Sequence, residues 1–254
     1  GAVISAGAIT AEIRHLTINN TGTSNNASVG LWTEGVTEGS FSMLHVTATA
    51  ADTGGTANYG VVNKSSSPTM NNVTATATGA NGNYGVYNTS SSPTMNNVTA
   101  TATGGSVSYG VYNVSSSPTM NNVTATATGT GDSINHGVSN NPSSNNPSSP
   151  SMNNVTATAT GGSNNFGVSN TSSSPTMNNV TATATGGSTF NRGVFNSSSS
   201  PTMNNVTATA TGGSTFNRGV HNYSSSSPTI RNSSISATGG GVEVDDSISH
   251  DTDT

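Results

Sequence analysis

From Val73 the chain reads V-T-A-T-A-T, with apolar and hydroxylated residues alternating through Thr78. A period of two predicts a half-buried strand, with Val73, Ala75 and Ala77 facing inward and Thr74, Thr76 and Thr78 outward. Gly79 follows, where a turn needs freedom in φ. Small inward alanines imply a narrow interior. A second short strand is predicted at Gly85-Val86-Tyr87-Asn88, with Val86 inward. A serine run then leads to Pro93, which has no N–H to give a ladder and belongs in a turn or at the first residue of a strand.

The pattern repeats almost letter for letter as SSSPTMNNVTATATG. Its prolines Pro68, Pro93, Pro118, Pro150, Pro175, Pro201 and Pro228 are 25, 25, 32, 25, 26 and 27 residues apart. A unit of this length cannot bury a hydrophobic face alone, so it must stack on its neighbours. The template starts at Ile13, Met43, Met70, Met95, Met120, Met152, Met177, Met203 and Ile230. These starts predict an all-β fold, a single parallel β-solenoid of about nine coils and roughly 40 Å at ~4.8 Å per row. The extra text between Pro118 and Pro150 is expected to bulge from one corner. Three segments result: an N-terminal apolar segment over 1–12, the solenoid over 13–244 and an acidic tail over 245–254.

Composition alone points to low complexity, since 30% of residues are hydrophobic and 6% charged. Strict periodicity overrules that reading. A net charge of −5 with only five Lys plus Arg leaves no basic patch for nucleic acid or an anionic membrane. No cysteine is present, hence no disulfide and no thiolate metal site. The opening GAVISAGAIT is too short to span a bilayer and lacks the basic residues that begin a signal peptide.

Two asparagine columns run through the repeat. One, immediately before the threonine strand, is Asn72, Asn97, Asn122, Asn154, Asn179, Asn205 and Asn232, with His15 and His45 in its upstream places. The other is Asn63, Asn88, Asn113, Asn140, Asn170, Asn196 and Asn222. Asparagine tolerates left-handed turns, and its amide can bond to the same amide one coil away. Both columns are therefore read as corner ladders. Many of these asparagines lie in N-x-Ser/Thr sequons, such as Asn72-Val73-Thr74, but an inward ladder position could not carry a glycan.

Stacking aligns the outward threonines into an uncharged face: Thr74, Thr76 and Thr78, then Thr99, Thr101 and Thr103, then Thr124, Thr126 and Thr128. It continues through Thr156, Thr158 and Thr160, Thr181, Thr183 and Thr185, and Thr207, Thr209 and Thr211. Threonines would stand ~6.6 Å apart along a strand and ~4.8 Å apart between rows. Such an array resembles the ice-binding face of β-solenoid antifreeze proteins. Stabilisation of an exposed strand by threonine explains it equally, and O-glycan attachment is a third reading.

The Gly-Val pairs, Gly60-Val61 through Gly219-Val220, and the two asparagine columns make residues 11 to 244 resemble the right-handed parallel β-helix proteins of the pectate-lyase-like superfamily. Enzymes on that fold rely on clustered carboxylates with Arg or Lys. Here Asp132 is the only acidic residue between Asn63 and Ile230, so no catalytic residue, metal ligand or cofactor is expected. The scattered histidines are assigned ladder or surface roles. Trp32, Tyr87, Tyr112 and Phe195 form an outward stripe with Tyr59, Tyr84, Tyr109 and Phe166 beside it, suited to stacking or to sugar binding. The tail is solvated or holds a hard cation.

No helical cap is evident at either end. The terminal Gly1, Ala2, Val3, Ile4 and Ile9, with Val242 and Val244, are instead β-capable. A heterologous contact between such ends generates a filament. The expectation is a non-enzymatic extracellular or cell-surface subunit that polymerises head to tail, with residues 1–10 completing the next molecule. Ice binding through the threonine face, or a carbohydrate-binding surface or spike, are the alternatives. No nucleic acid or membrane span is expected; a homopolymer and glycans are.

Overall fold

The structure, a computed structural model, describes residues 2–5, 10–22, 26–36, 39–143, 146–212, 215–238 and 244–245. The chain winds as a β-solenoid between two sheets, and no helix occurs among the described residues. One sheet, carrying the Gly-Val strands, has ten strands from Ala2–Ser5 through Ser28–Glu34 to Phe216–Tyr223 and Val244–Asp245. The other carries the threonine strands as 13 segments in nine rows, from Ala11–Asn20 to Thr229–Arg231 with Ser234–Ala237. Nine rows enclose eight turns. Repeated units bring identical residues together in parallel, as in Thr99↔Thr74 and Val111↔Val86.

The interior is built of columns. Met43, Met70, Met95, Met120, Met152, Met177 and Met203 are fully buried in one, and Ala48, Ala75, Ala100, Ala125, Ala157, Ala182 and Ala208 in another. Isoleucine closes both columns at both ends: Ile13 pairs Met43 and Ile230 pairs Met203, while Ile18 pairs Ala48 and Ile235 pairs Ala208. Between the sheets lies a waist without room for side chains. A Cβ on Gly110 would stand 2.6 Å from the Gly137 carbonyl and 2.7 Å from the Thr126 nitrogen, both backbone atoms. The Gly-Val signature therefore encodes contact of backbone with backbone across the core.

Corners are made by residues in the left-handed region. Asn72, Asn97 and Asn122 have φ of 53°, 53° and 54°, and His15 and His45 take the same conformation at 50° and 52°. Serines form a second left-handed corner at Ser65, Ser90, Ser115, Ser172, Ser198 and Ser224. The insertion after Asn141 leaves the row at this serine corner, where the Ser115 hydroxyl donates to the carbonyls of Ser143 at 3.2 Å and Asn146 at 3.1 Å.

The two asparagine columns are not equivalent, which corrects the reading of both as corners. The column from Asn63 to Asn222 is buried inside the solenoid, with exposures of 0% at Asn63 and 1% at Asn222. Each amide donates to the next row toward the C-terminus: Asn63 to Asn88 at 2.8 Å, Asn88 to Asn113 at 2.9 Å, Asn113 to Asn140 at 2.8 Å. The column from Asn72 is exposed and runs the other way, Asn97 donating to Asn72 at 3.2 Å and Asn122 to Asn97 at 3.1 Å.

Two further sets were not anticipated. Asn58, Asn83, Asn135, Asn165, Asn191 and Asn217 are fully buried two residues before six of the seven Gly-Val pairs, and buried Ser108 takes that place before Gly110. Asn165 bonds Asn191 at 3.0 Å and also the Thr185 carbonyl at 2.9 Å, pinning the end of a threonine strand. The serine run has its own order. Buried Ser116, Ser148 and Ser173 accept through their hydroxyls from the backbone N–H of Ser91, Ser116 and Ser148 at 2.9, 2.9 and 3.0 Å. Half-buried Ser67 and exposed Ser92 accept from the backbone N–H of Ser92 and Ser117 at 3.0 Å each.

At the N-terminal end, Ala2, Val3 and Ile4 pair in parallel with Leu31, Trp32 and Thr33. Val244 pairs Val220 at the other end. Gly1, Ile9, Val242 and residues 246–254 of the acidic tail lie outside the described residues.

Replacing Asn113 by Ala strands a buried donor on Asn88 and a buried acceptor on Asn140, each worth about 1–3 kcal/mol. Asn113→Ala should therefore lower stability to urea by about 2–6 kcal/mol. Asn122→Gly keeps the left-handed corner and should cost under about 1.5 kcal/mol, since it removes only exposed amide bonds. Equal losses in the two variants would contradict the burial distinction.

Candidate functional site

The lateral surfaces are the candidate sites. On the threonine face, identical register places Thr74, Thr99, Thr124, Thr156, Thr181 and Thr207 in one column. Thr76, Thr101, Thr126, Thr158, Thr183 and Thr209 form the second, and Thr78, Thr103, Thr128, Thr160, Thr185 and Thr211 the third. The first column is exposed, while Thr76 and Thr78 are half-buried. Hydroxyls also meet between rows, as Thr128 and Thr160 do at 3.1 Å. This face is uncharged and chemically uniform.

The opposite face carries the aromatic residues in two adjoining columns. Tyr59, Tyr84, Tyr109, His136 and Phe166 are in register, followed by Arg192 and Arg218. Beside them run Trp32, Val62, Tyr87, Tyr112, Ser139, Ser169, Phe195 and His221. Serines 139 and 169 interrupt only the second column; the first continues past them because His136 stacks on Tyr109 at 4.8 Å and on Phe166 at 4.6 Å. The Arg192 guanidinium then lies 5.1, 4.5 and 4.9 Å from the ring centres of Phe166, Phe190 and Phe195, a cation–π arrangement. The sequence assigns His136 only a ladder or surface role and does not single out Arg192, although both occupy the place before glycine in the N-x-G-V pattern.

Ring geometry decides what this face offers. Neighbouring rows lie nearly parallel, at 12° for Tyr59 and Tyr84, 10° for Tyr84 and Tyr109, and 7° for His136 and Phe166. In the first column Tyr84, Tyr109 and His136 are thus each covered by the rows above and below, in the offset stacking that aromatic quadrupoles favour. A sugar platform needs an open ring face, so the stack serves the rod before it serves a ligand.

Burial governs the titratable groups here. It pushes Tyr84 up to about 12, reinforced by the neighbouring Tyr59, Tyr112 and Tyr87, and raises Tyr59 and Tyr109 as well. His136 is lowered to about 3 by desolvation. Its ring edge is partly accessible, yet Nδ1 is enclosed without a hydrogen-bond partner. Toward the N-terminus, the Lys64 ammonium sits 2.8 Å from Glu34 and holds that carboxyl below its usual range, and Trp32 Nε1 donates to the same carboxylate at 3.1 Å.

No group of three or more His, Asp or Glu side chains converges among the described residues. His15 and His45 stack on one another at 5.1 Å in the exposed ladder column, the place the sequence assigned them. Asp52 is buried and accepts from the Gly54 N–H at 2.8 Å and the Ser28 hydroxyl at 3.3 Å, so it fixes a turn. No helix among the described residues is long and apolar enough to cross a membrane.

No protein-family model matches this sequence, and no curated protein sequence does. Among solved structures the chain is similar to Vag8 in its cryo-EM complex with C1 inhibitor, at 13% identity and a TM-score of 0.50. The match covers 96% of this chain and 64% of that one, so the chain spans just under two thirds of its neighbour. Tailspike protein 3 of bacteriophage CBA120 matches more loosely, at 10% identity and a TM-score of 0.26 over 93% of this chain and 44% of that one. The likeness to Vag8 is one of fold, consistent with the parallel β-helix inferred from the repeats.

His136 gives the rod an acid sensitivity with a defined sign. Its pKa is near 6.5 when unfolded and about 3 when folded, so the unfolded chain binds more protons between those values and stability falls as pH drops through that window. His136→Phe preserves the stack and removes the titration. The melting temperature of the wild type should fall further between pH 7 and pH 4 than that of His136→Phe. Parallel pH profiles would refute the assignment.

Proposed function

We propose that this chain is a non-enzymatic structural rod of an extracellular or cell-surface filament, whose copies stack head to tail through open solenoid ends. The observation that carries this reading is that, among the described residues, the strands at both ends have backbone edges left unpaired. Among the described residues, the ten-residue strand Ala11–Asn20 pairs on one side only, with Phe41–Ala51. At the other end Val244 and Asp245, the described residues of the last strand, pair with Val220 and His221 of the eight-residue strand Phe216–Tyr223. Unpaired edges of parallel strands are templates for another chain.

Side chains add to this support. Leu16 is 39% exposed at the N-terminal row, in the column that valine fills elsewhere. At the C-terminal end Asn222 Nδ2, the last donor of the inner ladder, is buried without a partner. The ladder is directional, so its two termini differ chemically. An added row with an acceptor would complete the C-terminal end, and this polarity favours head-to-tail over head-to-head contact.

Negative-stain microscopy and sedimentation at rising concentration test the proposal. Filaments should form, Leu16→Lys should shorten or abolish them without lowering the melting temperature by more than a few degrees, and removal of residues 239–254 should promote them by freeing the sheet edge. A full-length chain and a truncated chain that both stay monomeric at all concentrations would exclude it.

A second reading, ice binding, draws on the threonine columns, which hold register over six consecutive rows without a charge among them. It expects thermal hysteresis in the wild type and its loss in the double variant Thr126→Tyr, Thr158→Tyr, with the rod still folded. Absence of hysteresis in the wild type would dismiss it.

A further inference from the structure

Five of the six tyrosines fall in a single cluster, in a chain without cysteine. Ring centres are 4.7 Å apart for Tyr59 and Tyr84, 5.2 Å for Tyr84 and Tyr109, 5.5 Å for Tyr87 and Tyr112, and 4.4 Å for Tyr109 and Tyr112. The three of these contacts that join different rows do so between residues 25 positions apart in sequence (84 minus 59, 109 minus 84, 112 minus 87). All five side chains are half-buried, so their edges reach solvent. Stacking alone does not require tyrosine, because His136 and Phe166 continue the same column without a phenol.

We propose that this cluster is a site of oxidative tyrosine coupling, in which Tyr59 and Tyr84 join through their ring carbons and staple two successive rows covalently. The oxidant class is a peroxidase with hydrogen peroxide. Each phenol loses one electron and its hydroxyl proton to give a neutral phenoxyl radical. The two radicals then form a carbon–carbon bond between positions ortho to oxygen, and the displaced ring hydrogens move to the oxygens to restore two phenols. Two hydrogen atoms leave the pair, and one peroxide is reduced to two waters. The fold supplies proximity: the rings are held within a few ångströms before either is oxidised, which makes coupling intramolecular. Coupling requires one ring to slip and turn against its neighbour until the ortho carbons meet, a movement of half-buried side chains within one cluster. Burial keeps Tyr59 and Tyr84 protonated at neutral pH, so the hydrogen-atom count above holds there. The proposal stands independently of end-to-end assembly.

The chain's few basic residues make the test direct. Trypsin cuts after Lys64, placing Tyr59 in the fragment 15–64 and the other four clustered tyrosines in 65–192. The full chain is treated with horseradish peroxidase and dilute hydrogen peroxide, then digested and analysed by mass spectrometry and dityrosine fluorescence. Expected is a species joining 15–64 to 65–192, lighter than their sum by two hydrogens, with a yield unchanged over a tenfold dilution. Tyr59→Phe keeps the stack and should abolish that species, while Tyr223→Phe, at the exposed tyrosine outside the cluster, should leave it intact. Coupling confined to intermolecular products of Tyr223, or a yield that falls with dilution, would overturn the proposal. So would an equal yield from urea-unfolded chain, because preorganisation would then contribute nothing.

Discussion

Row-to-row hydrogen bonding of the buried amides is the constraint on which the rest of this solenoid depends. An asparagine at the centre of a column has a buried donor and a buried acceptor, and the same residue one row away on either side satisfies them. A slip of one residue would turn every ladder amide toward the wrong face and leave it unpaired. The ladder therefore enforces a single register for the methionines, valines and alanines beside it. Alanine and valine keep the interior narrow, and the methionine column supplies most of its bulk.

The same constraint explains how the surfaces arise. Once register is fixed inside, whatever stands outside is also copied from row to row: threonine on one face, aromatic rings on the other. A uniform surface is thus a by-product of a repeated interior, and repetition by itself assigns no ligand to either face. The aromatic stack illustrates the point. Its ring faces are turned toward one another along the rod axis, and the positive side chain of Arg192 closes the series over three phenylalanine rings.

Much of this was legible in the sequence, for reasons that can be named. Alternation from Val73 to Thr78 gave the inward and outward sets, and the seven-residue excess before Pro150 (32 minus 25) marked a loop at a corner. His15 and His45 were placed correctly because they align with asparagines that adopt left-handed φ. What pattern could not separate was an inner asparagine from an outer one, since Asn63 and Asn72 are the same residue type at equally regular spacing. Sorting them requires knowing which way the chain turns between Ser65 and Pro68. The column from Asn58 was hidden by its neighbour, because the aromatic residue at 59 and the glycine at 60 draw attention first. The serine run looked like linker text, yet alternate serines are held inside and outside by opposite sets of backbone bonds. The candidate surfaces were visible as columns; their accessibility was not, because it depends on how rings and hydroxyls lean on the next row.

The contact between backbones at the glycine waist has a consequence for growth of the molecule. The space beside Gly110 is bounded by Gly137 and Thr126, and that beside Gly85 by Gly110 and Thr101, with nearly the same distances. Every interior unit thus offers its successor the same socket. Duplication or loss of a whole unit leaves the remaining sockets unchanged, whereas a partial unit would break the ladders on both sides. Length is accordingly the one property of this rod that can vary in whole steps without any compensating substitution, and the gene can behave as a ruler graduated in units of one turn.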